Sequence, residues 1–177
     1  KQRDGSVMVG TRDGCLYHYS ADMAQMLVKS HFDSNIYSVV EMPQGRMWIG
    51  TRGKGIYGIP GLDFKNKKVF CLKPDDRGRM WIGTFGGGLE LAEPTTDGKY
   101  KFRHFLQQKF GLRMIRVIEE DDNGMIWVGT SEGVCIFHPD SLIANSDDYH
   151  LFNYTNGTFC SNEIRCIYRD TKGRMWV

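Results

Sequence analysis

The chain has 177 residues, 41% of them apolar, enough for a sizeable core in one domain or two. Its formal net charge of +2 gives no electrostatic basis for binding nucleic acid or an anionic membrane surface. No run of apolar residues is long enough to span a bilayer as a helix, and five cysteines, an odd number, leave at least one thiol outside any internal disulfide.

In chain order, the first feature is the phrase Gly-Ser-Val-Met-Val-Gly-Thr ending at Thr11. It returns as Gly-Arg-Met-Trp-Ile-Gly-Thr at Gly45–Thr51 and again, identically, at Gly78–Thr84. A relative, Gly-Met-Ile-Trp-Val-Gly-Thr, closes at Thr130, and a truncated copy runs from Gly173 to Val177. With their flanks the units occupy 5–19, 45–59, 78–92, 124–138 and 173–177. Self-similarity at this spacing identifies one supersecondary unit used repeatedly.

Each unit has a lead-in. An aliphatic residue stands nine positions before the first glycine (Ile36, Val69, Ile115, Ile164) and another three positions later (Val39, Leu72, Ile118, Ile167). Asp75, Asp121 and Asp170 stand three positions before that glycine, with Met42 the exception. Two short β-branched runs joined by Asp-x-x-Gly predict a hairpin, the glycine supplying positive φ. The second strand is apolar at consecutive positions, as in Met47-Trp48-Ile49, which predicts burial on both faces. After Gly-Thr comes a variable turn, a further glycine and a third strand such as Leu89–Leu91. Aromatic-rich runs at Phe102–Phe105 and Leu151–Tyr154 predict a fourth strand, and only Ala21–Lys29 has a faintly helical pattern, where a loop and fourth strand are due.

Four short antiparallel strands per unit, covered on both faces, predict an all-β fold: a β-propeller of four-stranded antiparallel blades. Residues 1–177 then form a partial propeller of about four blades within a larger ring, expected to have seven. Trp48, Trp81, Trp127 and Trp176 are expected to pack between blades. The linker after Pro60 is too short for a full blade, which suggests a segment missing between about 64 and 69. Cys71 and Cys166 share one repeat position with Ser38 and Val117, a slot expected to be small and buried. Basic residues near the hairpin turns, Arg46, Arg79, Lys172 and Arg174, are expected to be solvated. The G-x-G-x-x-G at Gly53–Gly58 lies in a hairpin turn and not between strand and helix, so it carries no nucleotide fingerprint. Neither C-x-x-H pair (Cys15 with His18, Cys135 with His138) points one way on a strand, so no metal is expected, nor any cofactor. No nucleophile–base constellation or catalytic residue stands out.

The pattern D-x-x-G-x-x-W-[IV]-G-T-x-x-G-[LIV], carried by Asp75–Leu89 and Asp121–Val134 and preceded by Ser34-Asn35-Ile36 or Ser161–Ile164, resembles the two-component regulator propeller repeat. The resemblance implies the periplasmic sensor region of a Bacteroides-type hybrid two-component protein anchored in the inner membrane. Such a protein would detect an oligosaccharide, signal through the membrane to a histidine kinase that controls transcription, and act as a homodimer. It would carry further propeller and β-sandwich domains, and this segment would be no enzyme and would contact neither membrane nor nucleic acid. The alternatives are a propeller interaction scaffold and, less favoured, a carbohydrate-active hydrolase.

Binding in propellers uses varied loops at the rim around the inner strands. The turns after Gly-Thr offer Arg12, Arg52, Lys54, Phe85, Ser131 and Glu132. The returns into the next unit offer Phe110, Arg113, Phe159 and Asn162. Phe85 with Arg52 and Lys54 is the expected place for a sugar face and an acidic substituent.

Overall fold

A computed structural model describes residues 2, 4–42, 45–59, 62, 64, 66, 68–106 and 114–177. Its strands follow the repeats closely. The first blade comprises β1 (Val7–Gly10), β2 (Cys15–Tyr19) and β3 (Met26–His31); the second, β4 (Ile36–Glu41), β5 (Met47–Thr51) and β6 (Gly55–Tyr57). The third is complete: β7 (Val69–Pro74), β8 (Met80–Thr84), β9 (Leu89–Pro94) and β10 (Tyr100–Phe105). So is the fourth: β11 (Ile115–Glu120), β12 (Ile126–Thr130), β13 (Gly133–Phe137) and β14 (His150–Phe152). A two-stranded hairpin, β15 (Tyr168–Arg169) and β16 (Met175–Trp176), begins the fifth. All pairings are antiparallel, and β4 lies beside β7, β7 beside β11 and β11 beside β15, so these leading strands form the inner wall of a propeller.

The Asp-x-x-Gly hairpin is built as its sequence dictates. Gly78, Gly124 and Gly173 have φ of +74°, +74° and +77°, and their amides donate to the carbonyls of Asp75, Asp121 and Asp170 at 3.2, 3.1 and 3.0 Å. The carboxylates then hold the returning strand. Asp121 accepts from the amides of Asn123 and Met125 and from Trp127 Nε1, at 2.9, 3.0 and 3.0 Å. Asp170 repeats this with Lys172, Arg174 and Trp176, and these bonds, Trp176 first, hold its carboxyl down at about 2. In the second blade Met42 has no carboxylate to offer. In the third, Asp75 Oδ2 is taken by Arg79 Nε at 2.6 Å. The buried indole nitrogens of Trp48 and Trp81 have no partner among the described residues.

Gly-Thr is explained by what meets it. A Cβ on Gly10, Gly50, Gly83 or Gly129 would stand 2.3, 2.7, 2.6 or 2.8 Å from Ile36 Cγ2, Val69 Cγ1, Ile115 Cγ2 or Ile164 Cγ2, each the first aliphatic residue of the next blade. The glycine lets the following inner strand sit directly on the sheet. Each threonine hydroxyl closes the next turn, donating to the carbonyls of Cys15, Gly55, Gly88 and Gly133 at 2.9, 2.9, 2.8 and 2.9 Å. Both residues are therefore scaffold.

The core lies between blades. Trp81 packs with Leu89, Leu91, Ile115 and Ile126, and Trp48 with Val69, Leu72 and Met80, each tryptophan joining its blade to the next. Trp127 does the same against Ile164 and Ile167. Trp176 departs from the expectation at 54% exposure, because no blade follows it within these residues. Arg79 is a second departure: it is buried against Asp75, and Arg77 beside it binds Asp140 at 2.6 and 2.8 Å. That ion pair ties the third blade to α1 (Pro139–Ala144), a short helix absent from the sequence reading, whose first-turn amide at Asp140 is capped by His138 Nδ1 at 3.3 Å. Cys71 occupies a half-buried slot, where desolvation pushes its thiol up to about 12, whereas Cys166 is exposed. All five thiols are free. Ala21–Lys29 is turn followed by strand, as the propeller demands. The suspected gap falls where only Phe64, Asn66, Lys68 and Val69 are described; Phe64 is buried against Phe102 of β10, 5.3 Å between ring centroids.

Candidate ligand-binding rim

The turns after Gly-Thr and the returns between blades do share one rim. The Ile36 amide donates to the Thr11 carbonyl at 3.0 Å and the Ile164 amide to the Thr130 carbonyl at 2.9 Å, stitching one blade to the next. Between these, isolated bridges pair Arg52 with Lys68 and Phe85 with Met114. The residue that follows Gly-Thr is thus held at a blade junction, flanked by the strand entering the next blade.

The named candidates separate into those that face solvent and those that serve the scaffold. Arg12 and Arg52 are exposed. Lys54 reaches Asp33 at 3.7 Å across the neighbouring return. Ser131 and Glu132 form the turn after β12, where the Glu132 amide donates to Thr130 Oγ1 at 2.9 Å. Asn162 accepts from the Tyr154 amide at 2.7 Å, and Phe159 packs beside Ile164 and Trp127, so both shape the return into β15. Phe110 and Arg113 lie outside the described residues.

Phe85 is 38% exposed, and the cation over its ring is Lys68, at 5.1 Å from the centroid. Its neighbours were not in the sequence-derived set. Phe70 stands 6.4 Å away and Tyr37 packs edge-on to Phe70 at 4.7 Å, each half-buried. These two are bulge residues. The register of β4, β7 and β11 slips at the same step, between Ile36 and Ser38, Val69 and Cys71, and Ile115 and Val117, leaving Tyr37, Phe70 and Arg116 unpaired. A bulge re-aims the extra side chain. The signal was available: directly after the fixed aliphatic residue the repeats read Tyr, Phe, Arg and Arg165, variation on a constant flank. Arg116 Nη2 binds Glu163 at 2.8 Å, Arg165 approaches the same carboxylate at 3.4 Å, and Arg116 Nε is buried without a partner among the described residues. The rim therefore runs from aromatic to cationic.

Elsewhere the chemistry is sparse. Glu90, buried on β9 with His104 Nδ1 at 3.5 Å, has its carboxyl pushed up to about 7 by desolvation. Among the described residues no three His, Cys, Asp or Glu side chains converge as a metal site would require. No helix of the described residues is long and apolar enough to cross a membrane.

Comparison with known proteins accounts for the repeat. The family model described as "Two component regulator propeller" matches residues 63–86, 110–132 and 158–177. Three stretches of the chain thus match that repeat. Among solved structures, the chain is similar to the extracellular domain of a putative hybrid two-component system from B. thetaiotaomicron, with 22% identity and a TM-score of 0.71 over 99% of this chain and 25% of that one. A second such domain from B. thetaiotaomicron matches with 22% identity and a TM-score of 0.61, over 96% of this chain and 26% of that one. The Cps50 (Swd1) β-propeller domain of Myceliophteria thermophila matches at 14% identity and a TM-score of 0.69, covering 98% of this chain and 58% of that one, a likeness of fold alone. The chain thus spans about a quarter of the length of the extracellular domains it resembles. No curated protein matches the chain.

Proposed function

We propose that this propeller is the ligand-sensing part of a periplasmic region belonging to a hybrid two-component protein of the inner membrane. It recognises an oligosaccharide at its rim and passes the occupancy signal through the membrane to a histidine kinase that controls transcription. The segment itself performs no catalysis, and its parent signals as a homodimer. The observation that carries this reading is the regulator-propeller repeat, found both in the family match and in the resemblance to extracellular domains of hybrid systems. A rigid scaffold bearing variable rim turns suits recognition.

Thermal unfolding in the presence of a saccharide panel tests the proposal. A ligand at a hundredfold its Kd adds about 2.7 kcal/mol to the folded state, a shift of several degrees for a domain of this size. At least one oligosaccharide should raise the midpoint, and the encoding gene should continue into a membrane helix and a kinase. Absence of any response, with retention of a protein partner instead, would favour an interaction scaffold.

A further inference from the structure

The recurring bulge gives the inner wall a second, systematic source of variation. In each blade Gly-Thr, the aliphatic pair and the turn hydrogen bonds are constant, while the bulge residue is free of ladder pairing and differs: Tyr37, Phe70, Arg116. Equivalent positions of adjacent blades are neighbours, as the 4.7 Å separation of Tyr37 and Phe70 demonstrates, so Arg116 follows Phe70 in the same row. Phe85 and Lys68 stand above that row at the junction of the third blade. Aromatic rings offer a flat apolar face, and a partly exposed guanidinium offers charge-assisted hydrogen bonds. Three aromatics with no acid among them, grading into Arg116 and Lys68, match a ring that is apolar on one face and anionic at one substituent.

We propose that Tyr37, Phe70, Phe85, Lys68 and Arg116 form a subsite for an acidic sugar, its ring lying on the aromatics and its carboxylate on the two cations. This rests on the reading of the domain as a saccharide sensor and moves the recognition chemistry inward from Arg52 and Lys54 to the bulge row. Glu163 then acts as the internal counter-ion of Arg116, whose partly exposed side chain also meets the ligand carboxylate.

Calorimetric titration of the protein with trigalacturonate, with neutral trisaccharides and with benzoate tests it. Trigalacturonate should bind. Phe70→Ala should weaken it by at least tenfold and Arg116→Gln by five- to tenfold, while Lys101→Ala, exposed on the outer strand β10, leaves it unchanged and circular dichroism shows all three variants folded. Phe70→Leu, which keeps the bulk and loses the ring face, guards against a packing defect and should weaken binding too. Binding of trigalacturonate that neither Phe70→Leu nor Arg116→Gln alters overturns the subsite but spares the sensor reading. Binding of neutral trisaccharides alone does the same. Binding of benzoate alone, sensitive to both variants, replaces the sugar by an aromatic acid, and no binding by any saccharide overturns both proposals.

Discussion

Gly83→Ala is the sharpest test of how the blades are joined. Its Cβ would stand 2.3 Å from Cys71 Sγ and 2.6 Å from Ile115 Cγ2. Carbon atoms rest at about 3.5–4.0 Å, so roughly 1 Å of separation must be found between two adjacent inner strands. Cys71 can yield by rotating, but the Cγ2 of Ile115 is fixed by β-branching, and its Cβ is only 3.2 Å away. Overpacking of this kind costs about 1–3 kcal/mol. Replacing a strand glycine acts oppositely by about 0.5–1 kcal/mol, so the net expectation is a loss of about 1–2 kcal/mol, or a few degrees in Tm. Guanidinium unfolding followed by tryptophan fluorescence reads this directly, since Trp81 lies two residues away on β8. Gly45→Ala is the control: nothing lies within 4 Å of its Cβ, and only its φ of +77° resists, so its loss comes from the backbone alone. Cys71→Ala combined with Gly83→Ala should lose less than the two single losses together, by at least about 0.5 kcal/mol. If Gly83→Ala is as stable as the parent, or more so, the close-approach account of Gly-Thr is wrong.

Two further outcomes follow from the same packing and from the buried acid. Trp81→Ala should destabilise by about 3–5 kcal/mol, whereas Trp176→Ala, at an exposed site, should stay within about 0.5 kcal/mol; similar losses at the two positions in denaturant melts would refute the blade-junction role of the tryptophan. The Glu90 carboxyl is raised from 4.5 to about 7 by desolvation, so between those values the unfolded chain has released its proton while the folded chain retains it. Stability should therefore fall as pH rises from about 4.5 to about 7, and Glu90→Gln should flatten that part of the profile in pH-dependent melts.

The repeat made the fold legible because one hydrophobic pattern had to satisfy the same geometry several times. Asp75, Asp121 and Asp170 could be placed in turns from Asp-x-x-Gly alone, the third strands followed from the glycine after each turn, and the fourth from the aromatic-rich runs. What stayed hidden depends on contacts between units. Nothing in the local pattern says that Arg79 turns inward to Asp75, or that Asp140 reaches back across a blade to Arg77. The short helix α1 is an insertion with no counterpart among the described residues of the other repeats. At the rim, Phe85 was found because it varies after a fixed phrase. Tyr37, Phe70 and Arg116 were missed because an even strand period does not reveal a bulge, and a one-residue slip reassigns the side chain to another face.

The meeting of Gly10, Gly50, Gly83 and Gly129 with the next blade's aliphatic residue makes every repeat both socket and plug. Such an interface is head-to-tail, and it has no preferred length: a unit can be duplicated or deleted whole, and the units on either side still fit. The blade count of such propellers can thus drift by integers without any new complementarity having to be invented. Closure into a ring is decided by the angle each junction imposes, while the rim remains free to change one bulge residue at a time.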